Sequence, residues 1–177
     1  MNSTELEQLK YPIGKFQFDA TAGDAQVQHW IAALETLPVE LRTVVEGLSE
    51  EELNTSYRPG GWTLRQVVHH LADSHANAYT RFKLTYTEEH PHIRPYSEAD
   101  WAECEDAKSA PVTDSLNLID ALHRRLVLFL KTLKFEDFER TYFHPEHQKT
   151  FTLKYLLGLY AWHGVHHLAH LTNTIKK

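Results

Sequence analysis

Apolar side chains recurring at steps of three and four constrain this chain more than any other feature. Between Asp24 and Leu48 they fall at Val27, Trp30, Ile31, Leu34, Leu37, Leu41, Val44, Val45 and Leu48. That period winds one apolar stripe down an α-helix and does not fit a half-buried strand. Pro38 stands inside the stripe; having no N–H for the helix ladder, it is expected to kink or break the helix.

Four further segments carry helix signals, three of them long. Ser49 with Glu52 three residues on reads as a capping box for a short turn over 50–54, which "YRPGGW" stops. Thr63 with Gln66 opens a long helix over 64–89, offering Val67, Leu71, Ala78, Phe82 and Leu84 to a core. Thr113 or Asp114 is expected to cap a third helix over 115–133, striped by Leu116, Ile119, Leu122, Leu126, Phe129 and Leu133. Thr152 is expected to cap the last, over 153–175, with Leu153, Leu156, Leu157, Tyr160, Val165 and Leu168 as its apolar share.

No segment alternates with period two long enough to be read as a strand, and 134–150 reads as a turn-rich link. The stretch 90–111 is a connection of about twenty residues, longer than loops usually run, fit to wall a pocket or make a subunit contact. The expected fold is all-α: a four-helix bundle with a long crossover connection, one domain over 1–177. Its 177 residues, 42% hydrophobic, suffice for one real core.

Charge and cysteine narrow the function. With 18 Lys plus Arg against 24 Asp plus Glu, net −6, no basic stretch is available to track phosphates, so no nucleic-acid partner is expected. One cysteine, Cys104, gives no disulfide framework and suits a reducing compartment. The opening residues lack the pattern of a signal peptide, and no run approaches the roughly 20 apolar residues of a membrane span. A cytoplasmic protein without a membrane partner is expected.

Thirteen histidines are many for this length, and two clusters hold the informative ones. In "WHGVHHLAH", His163 and His167 lie one helical turn apart on one face, about 6 Å apart at Cβ, so two imidazoles can point at one ion. His166 and His170 obey the same rule, offset by roughly 60°. Spacing leaves both pairs open. A catalytic zinc-type site needs a third protein ligand and one open position. "VVHHLADSH" offers His69, His70 and His75, with His70 beside the Val67–Leu71 stripe and His69 further round. A single surface histidine is ordinarily just solvated, and histidines near a helix C-terminus are favoured by its dipole without any metal. The paired spacing on two amphipathic helices is what raises a metal site above that reading.

Asp73, three after His70, is a candidate acceptor behind a ligand or a general base, and equally a surface acid. Glu98 belongs to an acidic run with Asp100, Glu103, Glu105 and Asp106 that reads as a solvated loop. Cys104, inside it, has no nearby His or Lys to activate it. No serine-nucleophile motif, phosphate loop or dinucleotide fingerprint is present.

"GGWTLRQVVHHLADSH" followed by "YAWHGVHHLAHL" resembles the DinB/YfiT-like superfamily, and "YPIGKF", "RFKLTYTEE", "IRPY" and "LGLY" extend the resemblance over nearly the whole chain. The resemblance implies a four-helix bundle holding a metal on three histidines, which by position are His70, His163 and His167. His170 stands where many relatives have glutamine, leaving it, Asp73 and Glu98 as helpers at most.

The resemblance further implies a hydrolase acting on a small-molecule substrate, with one divalent ion per subunit, zinc first and nickel second, in a homodimer. Other branches use a low-molecular-weight thiol, so metal-dependent thiol transfer is the alternative. A third reading is a dimeric binding module whose metal is structural, which would need His166 or His170 to close the coordination shell.

Overall fold

A computed structural model describes residues 2–175. In chain order the elements are α1 (Ser3–Lys10), α2 (Asp24–Val45), α3 (Glu50–Leu53), α4 (Leu64–Thr87), α5 (Glu98–Ala102), α6 (Glu105–Ser109) and α7 (Val112–Leu130). A 3-10 turn (Phe135–Glu139), a hairpin of β1 (Thr141–His144) and β2 (Lys149–Thr152), and α8 (Leu153–Ile175) follow. The four long helices make a bundle in which α2 and α4 each pack against both α7 and α8. Around its axis the order is therefore α2, α8, α4, α7. The steps from α2 to α4 and from α7 to α8 cross the diagonal.

Local chemistry sets the helix starts. Ser49 with Glu52 and Thr63 with Gln66 close the expected capping boxes, and Asn2 with Glu5 closes a third that opens α1. Thr152 Oγ1 accepts from the Tyr155 N–H at 3.0 Å at the head of α8. The cap of α7 differs from expectation: Pro111 holds that place, with Thr113 and Asp114 inside the first turn. A proline there gives up no helical bond, because the N–H it lacks would have had no partner in the ladder.

The connections are also more ordered than their composition predicts. The 90–111 stretch holds α5 and α6, and the 134–150 link contains the hairpin, paired from Thr141↔Thr152 to His144↔Lys149. Strands of four residues offer too few alternations to register as a period. The hairpin is docked by main-chain bonds, Phe143 N–H to Pro91 O at 2.9 Å and Ile93 N–H to Phe143 O at 3.1 Å.

Pro38 does not break its helix; α2 runs through it, and the side chain is buried. What the ring removes is the one donor that would have met the Leu34 carbonyl four residues back.

The core divides along the bundle axis. One apolar cluster joins Val27, Ile31 and Leu34 of α2 to Phe82, Leu126 and Leu157. The other joins Leu41 and Val45 to Leu64, Val67, Leu71, Ile119 and Leu171. Between them in the sequence of each helix stand His75 on α4, His123 on α7, and His163 and His167 on α8, with His70 beside Leu71 at the edge of the second cluster. A layer of imidazoles crosses the bundle where apolar packing pauses. Such a layer is tolerable only if its ring nitrogens are bonded.

Candidate metal centre

Ring nitrogens of His70, His163 and His167 lie within 4.8 Å of one another, which makes them a possible three-donor set. His70 Nε2 is 3.2 Å from His163 Nε2, and the His70 and His167 ring centroids are 4.8 Å apart. His70 and His167 are buried, whereas His163 keeps some exposure because it faces a cavity.

The protons on these rings can be assigned by working inward from main-chain carbonyls, which only accept. His123 Nδ1 stands 2.7 Å from the Leu34 carbonyl, so it carries the proton. That is the carbonyl freed by Pro38. His123 Nε2 is then a lone pair and accepts from His75 Nδ1 at 2.9 Å. His75 Nε2 in turn accepts from His163 Nδ1 at 3.3 Å, which leaves His163 Nε2 a bare lone pair turned toward His70.

A second chain repeats the logic. His170 Nε2 donates to the carbonyl of Lys10 at 3.1 Å, among the orphan carbonyls that end α1. His170 Nδ1 then accepts from His167 Nδ1 at 3.3 Å, so the His167 lone pair is also on Nε2.

Both chains depend on neutral rings. Burial, and after it the neighbouring imidazoles, hold His75, His163 and His167 well below the usual histidine range. Burial also lowers His123 and His170 and brings His70 to about 4. The Nε2···Nε2 approach of His70 and His163 needs one proton between them or a cation in its place.

A second donor group, His166 with His167 and His170, meets the same distance limit. It is the poorer set, because both nitrogens of His170 are already engaged. His69, the neighbour of His70, bonds away from the cluster, to Ser115 Oγ at 2.8 Å and the Ala110 carbonyl at 3.2 Å.

A cavity of about 550 Å³ opens beside the cluster, lined by His163, His166 and His167 together with Arg81 and Glu98. Glu98 stands exposed at its mouth, where crowding side chains push its carboxyl above the usual range against the pull of Arg81. Asp73 is not brought to the cavity. Half-buried, with burial and then Asp106 acting on it, its carboxyl rises to about 6. Cys104 is exposed at the cap of α6. His166 stacks on Trp162 and lines the cavity.

His123 is the functional side chain that sequence reasoning missed. It was legible as a polar residue inside the α7 stripe, between Ile119 and Leu126, but nothing local says what it bonds. The roles of Pro38 and α1 likewise depend on contacts between helices.

A family model described as the DinB superfamily matches residues 33–171. A protein of Oceanobacillus iheyensis named "Putative metal-dependent hydrolase" is 51% identical over 168 residues, 95% of this chain and 96% of its own length. YfiT of Bacillus subtilis, which carries the same description, is 47% identical over 96% of this chain and 95% of its own. The solved structure of YfiT, described as a probable metal-dependent hydrolase with an unusual four-helix bundle topology, superposes with a TM-score of 0.93 over 96% of this chain and 97% of that one. Matched over most of its length in sequence and in fold, this chain belongs to the DinB superfamily.

Proposed function

We propose that the chain is a metal-dependent hydrolase of a small-molecule substrate, with one divalent ion per subunit on His70, His163 and His167, zinc first and nickel second. One observation carries the reading: two proton-ordered chains, each rooted in a main-chain carbonyl, end in Nε2 lone pairs within reach of His70. Three neutral imidazoles suit a borderline divalent cation and leave it a fourth, open position. When bound, such an ion supplies Lewis acidity and brings the pKa of a water to near 7.

The surrounding residues have separable tasks. His75 and His170 orient the inner rings and hold their Nδ1 protons, as outer partners of metal-binding histidines do. Glu98, with its raised pKa in the cavity lining, keeps a proton closer to neutral pH than an ordinary glutamate and serves as the proton donor to a leaving group. Asp73 is left out of the reacting set, and His170 acts as a positioning residue.

The test assays zinc- and nickel-reconstituted protein against esters, amides and thiol-plus-electrophile pairs. Hydrolysis without added thiol, lost in His163→Ala, is the expected result. Activity that appears only with a low-molecular-weight thiol would replace hydrolysis by thiol transfer, since the same donors would hold a thiolate. A shell closed by His166 would make the metal structural. The expected assembly is a homodimer, with a light-scattering mass near twice 20.6 kDa.

A further inference from the structure

Five buried side-chain polar atoms among the described residues have no hydrogen-bond partner: Arg81 Nε, Tyr96 Oη, His144 Nδ1, Trp162 Nε1 and His166 Nδ1. All five residues line the one cavity beside the histidine cluster. Buried polar atoms are rarely left unpaired. Their gathering on a single cavity calls for a ligand that supplies the missing partners. Two of them, the Arg81 Nε–H and the Trp162 Nε1–H, can only donate, so the ligand must bring acceptors.

Arg81 also brings the charge. It is the only Lys or Arg in the lining, and among the described residues it makes no ion pair. Its guanidinium has two long contacts, Nη1 to Tyr160 Oη at 3.4 Å and Nη2 to the Arg94 carbonyl at 3.3 Å. Nε is left over without a partner, so one donor of the fork remains for an acceptor.

The position of this cation relative to the histidines follows from Tyr160. Ser74 Oγ donates to the same Tyr160 Oη at 3.4 Å. Ser74 lies one turn beyond His70 on α4, about 6 Å along the axis. The guanidinium is therefore linked through Tyr160 to Ser74, which stands one helical turn past His70 on α4.

We propose that the substrate carries a carboxylate, held by Arg81 with help from Trp162, a few bonds from the group hydrolysed at His70, His163 and His167. The proposal rests on the hydrolase reading for what is hydrolysed, and on the cavity alone for the carboxylate. A planar carboxylate brings an acceptor to that remaining donor. A phosphate dianion would concentrate both its charges on one centre, beside a single cation and the two glutamates of the same lining, Glu98 and Glu146.

The test titrates metal-loaded protein by calorimetry with glutarate, with glutaramide as the uncharged control, and with inorganic phosphate. Wild type is expected to prefer glutarate by at least about tenfold, and Arg81→Gln to reduce that to below about threefold, the loss of a charge-assisted pair. Arg81→Lys, which keeps the charge without the fork, should fall between them. Trp162→Phe should weaken glutarate by about threefold, which keeps the test decisive if Arg81→Gln does not fold.

No preference in wild type, or a preference that survives Arg81→Gln, overturns the proposal. So does tighter binding of phosphate than of glutarate. A preference lost in His163→Ala but kept in Arg81→Gln would move the carboxylate to the metal, ending this proposal while the hydrolase reading stands. Dependence on Arg81 in a protein whose metal content ignores His163→Ala would do the reverse.

Discussion

At the scale of single residues, Pro38 and His123 do what their types alone would not announce. Proline costs α2 one hydrogen bond, and the freed Leu34 carbonyl orients an imidazole two rings away from His163. Pro38→Ala returns a helical donor to Leu34 in competition with His123. Metal affinity is expected to fall by about tenfold, the low end for loss of an outer partner, with no drop in thermal midpoint. A chelator competition titration beside a melting curve checks both, and a lower midpoint with unchanged affinity would make Pro38 a packing residue. His123→Leu leaves the His75 Nδ1–H without an acceptor and should cost 10- to 100-fold in metal affinity. The paired histidines of α8 were legible in sequence, because i, i+4 spacing is a property of one helix, while the choice of His163 and His167 with His70 came from the family resemblance. His123 and Pro38 were not, because their meaning lies in a contact between α2 and α7.

At the scale of elements, α8 must lie close to α2 for its histidines to face inward. Gly164, next to His163, permits this: a Cβ there would collide with the Leu37 side chain of α2. Gly164→Ala is expected to destabilise the fold by roughly 1–3 kcal/mol through overpacking, and to weaken metal binding by pushing α8 outward. Urea unfolding and the same competition titration read the two effects. The helix α1 has a matching task, since its last carbonyl holds His170 and through it His167. Removing residues 1–12 should lower metal affinity several-fold while the bundle remains helical by circular dichroism. The long amphipathic helices could be read from periodicity because each buries one stripe. The hairpin, α1 and the true cap of α7 could not, since short elements are ordered mainly by what they dock against.

At the scale of the whole molecule, a histidine layer between two apolar clusters couples stability to pH. Nine histidines have lowered pKa values, each mainly through burial. An unfolded histidine binds its proton near pH 6.5, and a folded one of this kind only further down, near pH 4 for His70 and His166. Between those values the unfolded chain holds more protons, so stability rises with pH there and is lost on acidification. Asp73, raised from 3.8 to about 6, and Glu98, also raised, oppose this with two groups against nine. The urea midpoint is therefore expected to be lower at pH 5 than at pH 7.5; equal midpoints would mean the layer is less neutral than its burial implies. Whether this layer holds an ion decides the account. The direct measurement is metal content by elemental analysis after reconstitution and dialysis, for wild type and for His70→Ala, His163→Ala, His167→Ala and His166→Ala. The account predicts about one equivalent in wild type and in His166→Ala, and almost none in the other three, as a three-histidine site requires. Full occupancy in His163→Ala, or its loss only in His166→Ala, would contradict it.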